Sequence, residues 1–298
     1  MSDVQPHRPV VRICAPDAAR HGDAFDALRI GKAMFGAEAD PFLNVDHFRM
    51  TGPTFPPHPH AGFSAVTYVL PESVNGMRNR DSRGDRSLIP PGGLHWTAAG
   101  SGIVHEEVPD RPGIVTEGMQ IFIRQPVAQE EAPAVIHHVE ADQIPTAALP
   151  EGGWMRLLAG SFETLVAPFE APSALVLLDL ELAPDANFDW PDTSPEPSSP
   201  RSRPDGLAIY LFEGALDLGE GYGSRRLVKA PNLIVFARGA GRVSVRAIDA
   251  HARLLQVTAR SCYPLRRDWR MRRAAITRAK WAGWHHSDQL RRCWIHVR

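Results

Sequence analysis

Short apolar runs separated by turn residues recur along the chain. They are Ala65–Leu70, Met119–Ile123, Leu175–Leu180, Leu207–Phe212 and Leu233–Phe236. The 24 glycines and 27 prolines are scattered along the same sequence. Short runs at close spacing with Gly/Pro turns are typical of β-sandwiches and barrels, whereas alternating helices and strands would give longer periodic segments. The pattern therefore predicts an all-β fold.

Two strand-rich blocks follow one another, and their similar length and style would suit a duplicated β-barrel. The first runs from about Val10 to His138 and the second from Trp154 to Thr258. The segment between them, Val139–Pro150, is predicted as a linker or short helix. A Pro/Ser/Asp-rich stretch, Pro184–Pro204, is predicted as a surface loop. The expected divisions are an N-terminal domain at 1–138, a C-terminal domain at 139–259 and a separate tail at 260–298.

Composition distinguishes the C-terminal tail from the rest of the chain. Of 298 residues, 43% are hydrophobic, and the formal net charge of -1 gives no hint of a nucleic-acid partner for the chain as a whole. Residues 260–298 hold ten Arg, one Lys and two Asp, a formal charge of +9. We interpret this tail as a frameshifted or recently diverged end. A basic tail that binds an acidic partner or nucleic acid is the alternative.

Cysteine usage and hydropathy favour a cytoplasmic protein. Cys14, Cys262 and Cys293 have no metal-type spacing and make no disulfide framework, which fits a reducing compartment. The polar stretch Met1–Pro9 lacks the features of a secretory signal. No run approaches the ~20 apolar residues that a spanning helix needs, so no membrane span is expected.

Two short sequences offer candidate metal ligands. In a strand, residues i and i+2 face the same side, so His58 and His60 would point together. By the same period His105 and Glu107 share one face, while Glu106 lies on the other as a solvated or hydrogen-bonded carboxylate. Each pair alone is a weak signal, because two histidines at a solvated strand end, or an acid beside a histidine, are common.

Together the two pairs are a stronger signal, because strands of a closed barrel can bring them to one point. The turn Pro90–Gly93 lies between the pairs in sequence and lets the chain reverse. Three imidazoles and one carboxylate, without thiolate, suit Fe(II), Mn, Ni, Cu or Zn. An octahedral ion would keep two open positions, which favours chemistry or sensing over a closed structural site.

Three stretches around these residues resemble the signature of the pirin family. They are Asp40–Phe48, Phe55–Phe63 and Pro91–Pro109. Their order, spacing and flanking residues match, densely from Asp40 to about Ile123, faintly across the second block, and not after about Arg260. The chain departs from the family's pattern at Ala61, where arginine is usual, and at Ser64, where glutamate is frequent. These changes affect the rim of the site and leave the ligand-type residues in place.

The resemblance implies a bicupin, with two stacked cupin-type β-barrels of which the N-terminal one holds metal. It implies one divalent transition metal, with Fe(II) expected first, and the ligands His58, His60, His105 and Glu107. Bacterial pirins are associated with quercetin 2,3-dioxygenase activity, which implies a flavonol substrate and Glu107 as general base. Pirins also act as iron-containing partners of transcription factors or metabolic enzymes, so a non-enzymatic regulator is the alternative. A metal-free structural bicupin is a third interpretation.

Several further residues have a structural and a functional interpretation. Candidates for the wall of the metal pocket are Phe55, Trp96 and Gln120, although aromatic residues on strands are more often core. His47 is expected to be a structural core histidine, hydrogen-bonded in its loop. His137 and His138 are predicted to be ordinary surface residues.

Overall fold

The computed structural model describes residues 7–190, 206–220, 224–239 and 241–259. Its regular structure is almost entirely strand, with one short α-helix, Lys32–Phe35, and two 3-10 helices at Val127–Gln129 and Ala141–Gln143. The predicted all-β fold is confirmed. The Arg-rich tail at 260–298, including Cys262 and Cys293, lies outside the described residues, so the predictions for it remain predictions.

The first half of the chain contains twelve strands. They are β1 Val10–Cys14, β2 Asp17–Arg20, β3 Phe25–Gly31, β4 Phe42–Met50, β5 His58–His60, β6 Phe63–Val69, β7 Met77–Asp81, β8 Leu88–Ile89, β9 Leu94–Ala98, β10 Ile103–Pro109, β11 Thr116–Arg124 and β12 Val135–Val139. Residues 18–29 and 44–142 form one compact unit. Its seven-stranded sheet has the order β12-β9-β6-β11-β4-β3-β2, and its four-stranded sheet has the order β5-β10-β7-β8.

The side chains of this first unit follow the two-residue period of strands. In β7, Met77, Asn79 and Asp81 are buried while Arg78 and Arg80 are exposed. In β6 every residue is buried, because both faces of this central strand are covered. The apolar core of the unit draws on both sheets and contains Phe25, Ala27, Phe48, Met50, Val69, Met77 and Ile89.

The turn at Pro90–Gly93 connects β8 to β9, as its sequence predicts. The backbone N–H of Gly93 donates to the carbonyl of Pro90 at 2.8 Å. Gly92 has a φ of 80°, a conformation that a side chain would disfavour. The chain reverses here between the two candidate ligand pairs.

A second compact unit includes residues 7–17, 30–43 and 143–190 and the described residues beyond 205. Its further strands are β13 Thr146–Ala148, β14 Gly153–Ala159, β15 Ser161–Phe162, β16 Leu165–Val166, β17 Leu175–Leu182, β18 Asn187–Trp190, β19 Gly206–Glu213, β20 Ala215–Glu220, β21 Ser224–Lys229, β22 Asn232–Phe236, β23 Val243–Ala247 and β24 Ala252–Ala259. The order β1-β22-β19-β24-β17-β14-β13 forms a seven-stranded sheet and β18-β23-β20-β21 a four-stranded one. Strand β1 therefore belongs to the sheet of the second unit. The domain division at residues 138 and 139 stays a prediction.

Two segments differ from their sequence-based predictions. The prediction of a surface loop at Pro184–Pro204 is wrong for Asn187–Trp190, because these residues form the strand β18. Trp190 is buried there, with its ring centroid 4.7 Å from that of Phe188, so these aromatic residues belong to the core of the second unit. The segment Val139–Pro150, predicted as a linker or short helix, contains both a 3-10 helix and the strand β13. Among the described residues, no helix is long and apolar enough to cross a membrane.

Candidate metal centre

Three histidines converge where β5 meets β10 in the four-stranded sheet. The strands are antiparallel, and His105 lies directly opposite His58. His60 follows two residues later on the same face, with its ring centroid 4.7 Å from that of His58 and 4.6 Å from that of His105. One ring nitrogen from each histidine lies within 4.8 Å of the other two. The structure thus brings these three of the four predicted ligands together.

Hydrogen bonds at the far side of two rings direct the remaining nitrogens inward. His58 Nδ1 lies 3.0 Å from the carbonyl oxygen of Pro56, and His105 Nδ1 lies 3.3 Å from Oδ1 of Asn79. Both partners are acceptors, so each Nδ1 carries the ring proton and each Nε2 keeps a lone pair. The Asn79 amide is itself oriented, because its Nδ2 donates to Oδ1 of Asp85 at 2.8 Å. This arrangement presents lone pairs to a shared centre, as metal ligands require.

The electrostatics of the cluster also suit a cation. Burial lowers the pKa of His58 and holds the pKa values of His60 and His105 well below the usual range, so the rings are neutral at pH 7. Nε2 of His60 and Nε2 of His105 are 2.8 Å apart, a distance at which they share one proton. When the proton of the neutral His60 ring is on Nδ1 instead, both Nε2 atoms offer lone pairs to a metal ion, and neutral imidazoles bind metals without first losing a proton. The donor set therefore fits a transition metal.

Glu107 lies on the same face of β10, two residues beyond His105. Its two carboxylate oxygens lie 2.8 Å and 2.7 Å from the hydroxyl of Thr67 on the facing sheet. Burial raises the pKa of Glu107 to about 7, against the lowering effect of the Thr67 hydroxyl. The cluster defined by the ring nitrogens contains only histidines, so the role of Glu107 as fourth ligand stays a prediction.

The hydroxyl of Thr67 has a second hydrogen-bond partner, the side chain of Gln120. Oε1 of Gln120 is 3.0 Å from the Thr67 hydroxyl, and Nε2 of Gln120 donates to the carbonyl of Val66 at 3.2 Å. A hydroxyl has one proton, so Thr67 gives it to Glu107 when that carboxyl is ionised. When Glu107 is protonated, it can donate to Thr67, which is then free to donate to Gln120. The carboxyl has a hydrogen-bond arrangement for both protonation states.

The other predicted site residues fall in different environments. Glu106 points away from the cluster, as predicted, and forms an ion pair with Arg80. The ring of Phe55 meets the edge of His58 at a centroid distance of 6.5 Å and also packs on Phe25. Trp96 is fully buried, but it pairs with Val66 and so lies on the face opposite Thr67 and Gln120. Of the three proposed wall residues, the structure places Phe55 and Gln120 against site residues.

Two histidine predictions need revision. His47 is hydrogen-bonded to Oε1 of Glu117 at 3.1 Å, but it lies within β4 and not in a loop. His138 was predicted to be an ordinary surface residue, which is wrong. Its side chain is 22% exposed, and its Nδ1 lies 3.3 Å from Nδ1 of the fully buried His95. No pattern in the sequence distinguishes His95, Thr67, Asn79 or Asp85, because only the pairing of distant strands brings them to the site.

Replacing Asn79 with alanine is expected to weaken metal binding by about 10-fold to 100-fold, the usual effect of losing the partner that orients a metal-binding histidine. The His105 ring would lose its acceptor at Nδ1 and rotate or change tautomer. Competition with a chromophoric chelator measures the affinity. Arg78→Ala is the control, since this side chain lies on the same strand and the exposed face. Equal affinities in Asn79→Ala and the parent protein would contradict the assigned orientation.

The all-β architecture and the histidine cluster define a bicupin with a site suited to a metal. Comparison with known proteins gives the family. The Pirin family model matches residues 26–123. A Pseudomonas aeruginosa protein named "Putative quercetin 2,3-dioxygenase" is 30% identical over 265 residues, which cover 84% of this chain and 85% of the relative. The chain belongs to the pirin family.

Solved structures agree on the fold. A crystal structure of quercetin 2,3-dioxygenase from Acinetobacter baumannii superposes with a TM-score of 0.71 at 21% identity, covering 85% of this chain and 87% of that one. The bacterial pirin YhhW from Escherichia coli, in complex with nickel(II), superposes with a TM-score of 0.63 at 16% identity, covering 83% and 99%. At these identities the likeness concerns the fold, and the nickel belongs to YhhW.

Proposed function

We propose that this pirin is a metal-dependent dioxygenase that cleaves flavonols such as quercetin. The observation that carries the proposal is a carboxyl, Glu107, on the same strand face as His105 of a three-histidine cluster, which provides ligands and a proton acceptor in one place. The name of the Pseudomonas aeruginosa relative supports the same activity. We propose His58, His60, His105 and Glu107 as the ligands of one divalent metal, with Fe(II) as the first candidate.

Each residue of the site has a definable role in such a reaction. A metal bound by the three histidines would supply Lewis acidity that lowers the pKa of a substrate hydroxyl. Glu107 accepts the proton of that hydroxyl as general base. Thr67 holds the ionised carboxylate in place by donating a hydrogen bond to it, and it donates to Oε1 of Gln120 instead once Glu107 is protonated. Phe55, which packs against His58, offers an apolar surface to an aromatic ring.

The test is anaerobic reconstitution with Fe(II), Mn(II), Ni(II) or Cu(II), followed by addition of air-saturated buffer and a panel of flavonols. We expect consumption of oxygen and loss of the flavonol absorbance with at least one metal. Glu107→Gln is expected to lower kcat by about 10²-fold to 10⁴-fold, the usual contribution of a general base. Glu106→Gln is the matched control, because it changes the neighbouring carboxylate on the opposite face of β10.

Metal content is measured for each variant, since Glu107 is also a proposed ligand. No oxygen uptake by the metal-loaded parent protein with any flavonol would overturn the dioxygenase proposal. It would favour the alternative of a metal-dependent regulator that binds a transcription factor or a metabolic enzyme.

A further inference from the structure

A row of four polar side chains crosses the seven-stranded sheet of the first unit. In register, Gln120 lies opposite Thr67, Thr67 opposite His95, and His95 opposite His138. Residues directly opposite each other on antiparallel strands project from the same face. Thr67 reaches Glu107 on the facing four-stranded sheet, so this face is the interior one. The row therefore leads from the candidate active site to β12 at the edge of the sheet.

The outer half of this row is a continuous set of short contacts. Nδ1 of His95 lies 3.3 Å from Nδ1 of His138, and Nε2 of His138 lies 3.1 Å from Oε1 of Glu140. His95 is fully buried, the His138 side chain is 22% exposed and the Glu140 side chain is 52% exposed. The three residues connect the interior of the unit with solvent.

The direction of these hydrogen bonds follows from the single N–H proton that each neutral imidazole ring carries. The ionised Glu140 carboxylate can only accept, so Nε2 of His138 carries a proton. In a neutral His138 ring, Nδ1 then has a lone pair and accepts the Nδ1 proton of His95. Nε2 of His95 is consequently a bare acceptor. Within the described part of the chain, this buried nitrogen has no hydrogen-bond partner.

The surroundings of His95 keep its ring neutral. Burial lowers the pKa of His95 to about 4, with Asp85 opposing this shift and His138 adding to it. The ring is also close enough to His105 to affect the pKa of that histidine. A neutral ring with a bare, buried nitrogen is suited to accept a proton from a group bound inside the unit.

We propose that His95, His138 and Glu140 form a proton relay between the interior of the first unit and solvent. A proton from a hydroxyl or water molecule inside the unit adds to Nε2 of His95, as His95 gives its Nδ1 proton to Nδ1 of His138. His138 gives its Nε2 proton to Glu140, which releases it to water. One proton enters and one leaves, and both rings stay neutral. The inference rests on the proposed function, because in that reaction Glu107 takes up a substrate proton, which then has to leave the buried carboxyl by way of a hydroxyl or water molecule inside the unit.

The first experiment measures the tautomers directly and is independent of turnover. Long-range ¹H–¹⁵N spectra of the histidine rings are recorded on the full chain loaded with diamagnetic Zn(II), and signals are assigned with His95→Gln and His138→Gln. We expect His95 to carry its proton on Nδ1 and His138 on Nε2. A proton on Nε2 of His95, or a doubly protonated His95 ring at pH 7, would overturn the relay.

The second experiment compares turnover in His138→Gln with that in His137→Gln, a neighbour that points to the other face of β12. We expect kcat to fall about 100-fold in His138→Gln with unchanged metal content, partial rescue by added imidazole, and little change in His137→Gln. Equal kcat values in His138→Gln and the parent protein would overturn the relay and leave the dioxygenase proposal intact. A parent protein that turns over no flavonol overturns the proposed function instead, and the tautomers alone then decide the relay.

Discussion

Replacing His105 with alanine is expected to reduce the metal content of the protein from about one ion per chain to almost none. His105 lies opposite His58, and its Nε2 is 2.8 Å from Nε2 of His60, so its removal leaves two imidazoles. The loss in affinity should exceed the roughly 100-fold upper limit seen for residues that only orient a ligand. Elemental analysis of the purified variant measures the occupancy. His58→Ala is expected to lower it sharply as well.

A second measurement and a matched control strengthen this test. A metal that binds only the folded protein at a free concentration about 100 times its Kd adds about 2.7 kcal/mol to stability, so added metal should raise the Tm of the parent protein but not of His105→Ala. Glu106→Ala is expected to keep full occupancy, whereas Glu107→Ala should lose metal. The opposite pattern for these two glutamates would show that the assignment of strand faces is wrong.

The candidate ligands could be predicted from the sequence because they depend on local geometry. A strand places residues i and i+2 on one face whatever it pairs with, so His58 with His60, and His105 with Glu107, follow from spacing alone. The structure shows both segments as strands, and the three histidines converge. The turn at Pro90–Gly93 is likewise a local feature.

The surroundings of the ligands could not be predicted in this way, because they depend on register between distant strands. Asn79 reaches His105 across 26 positions of sequence, and Thr67 reaches Glu107 across 40. No periodicity within one strand indicates such a contact. The same limit explains His138, which looks like a surface residue until β12 is paired with β9 and His95 lies beside it.

Long-range pairing also explains the differences in the fold. Strand β1 precedes every strand of the first unit in sequence but pairs with β22 of the second. Trp190 lies in a stretch whose prolines and serines predict a loop, yet packing against Phe188 places it in a core. A tertiary contact decides the structure in both cases, against the sequence order for β1 and against the local composition for Trp190.

In the second unit, Asp179→Ala is expected to lower the free energy of unfolding by about 3–5 kcal/mol, because it removes the hydrogen-bonded carboxylate that balances the charge of a buried guanidinium. Nη2 of Arg253 donates to both oxygens of Asp179 at 3.1 Å and 3.2 Å, and the two side chains are 3% and 1% exposed. The Arg253 guanidinium also lies over the rings of Trp154 and Phe212, at 4.7 Å and 5.2 Å from their centroids.

Urea unfolding followed by circular dichroism measures the change, with Asp189→Ala as the control. Asp189 pairs with Arg242 at 2.7 Å, but these side chains are 48% and 54% exposed, so the control should cost about 1 kcal/mol or less. Asp179→Leu combined with Arg253→Met should recover much of the loss, because replacing both buried charges by apolar groups also removes the cost of desolvating them. Equal destabilisation by Asp179→Ala and Asp189→Ala would contradict this prediction. It would mean that water or Glu181 replaces Asp179 as the partner of Arg253, since Oε2 of Glu181 already lies 4.0 Å from Nη1 of Arg253.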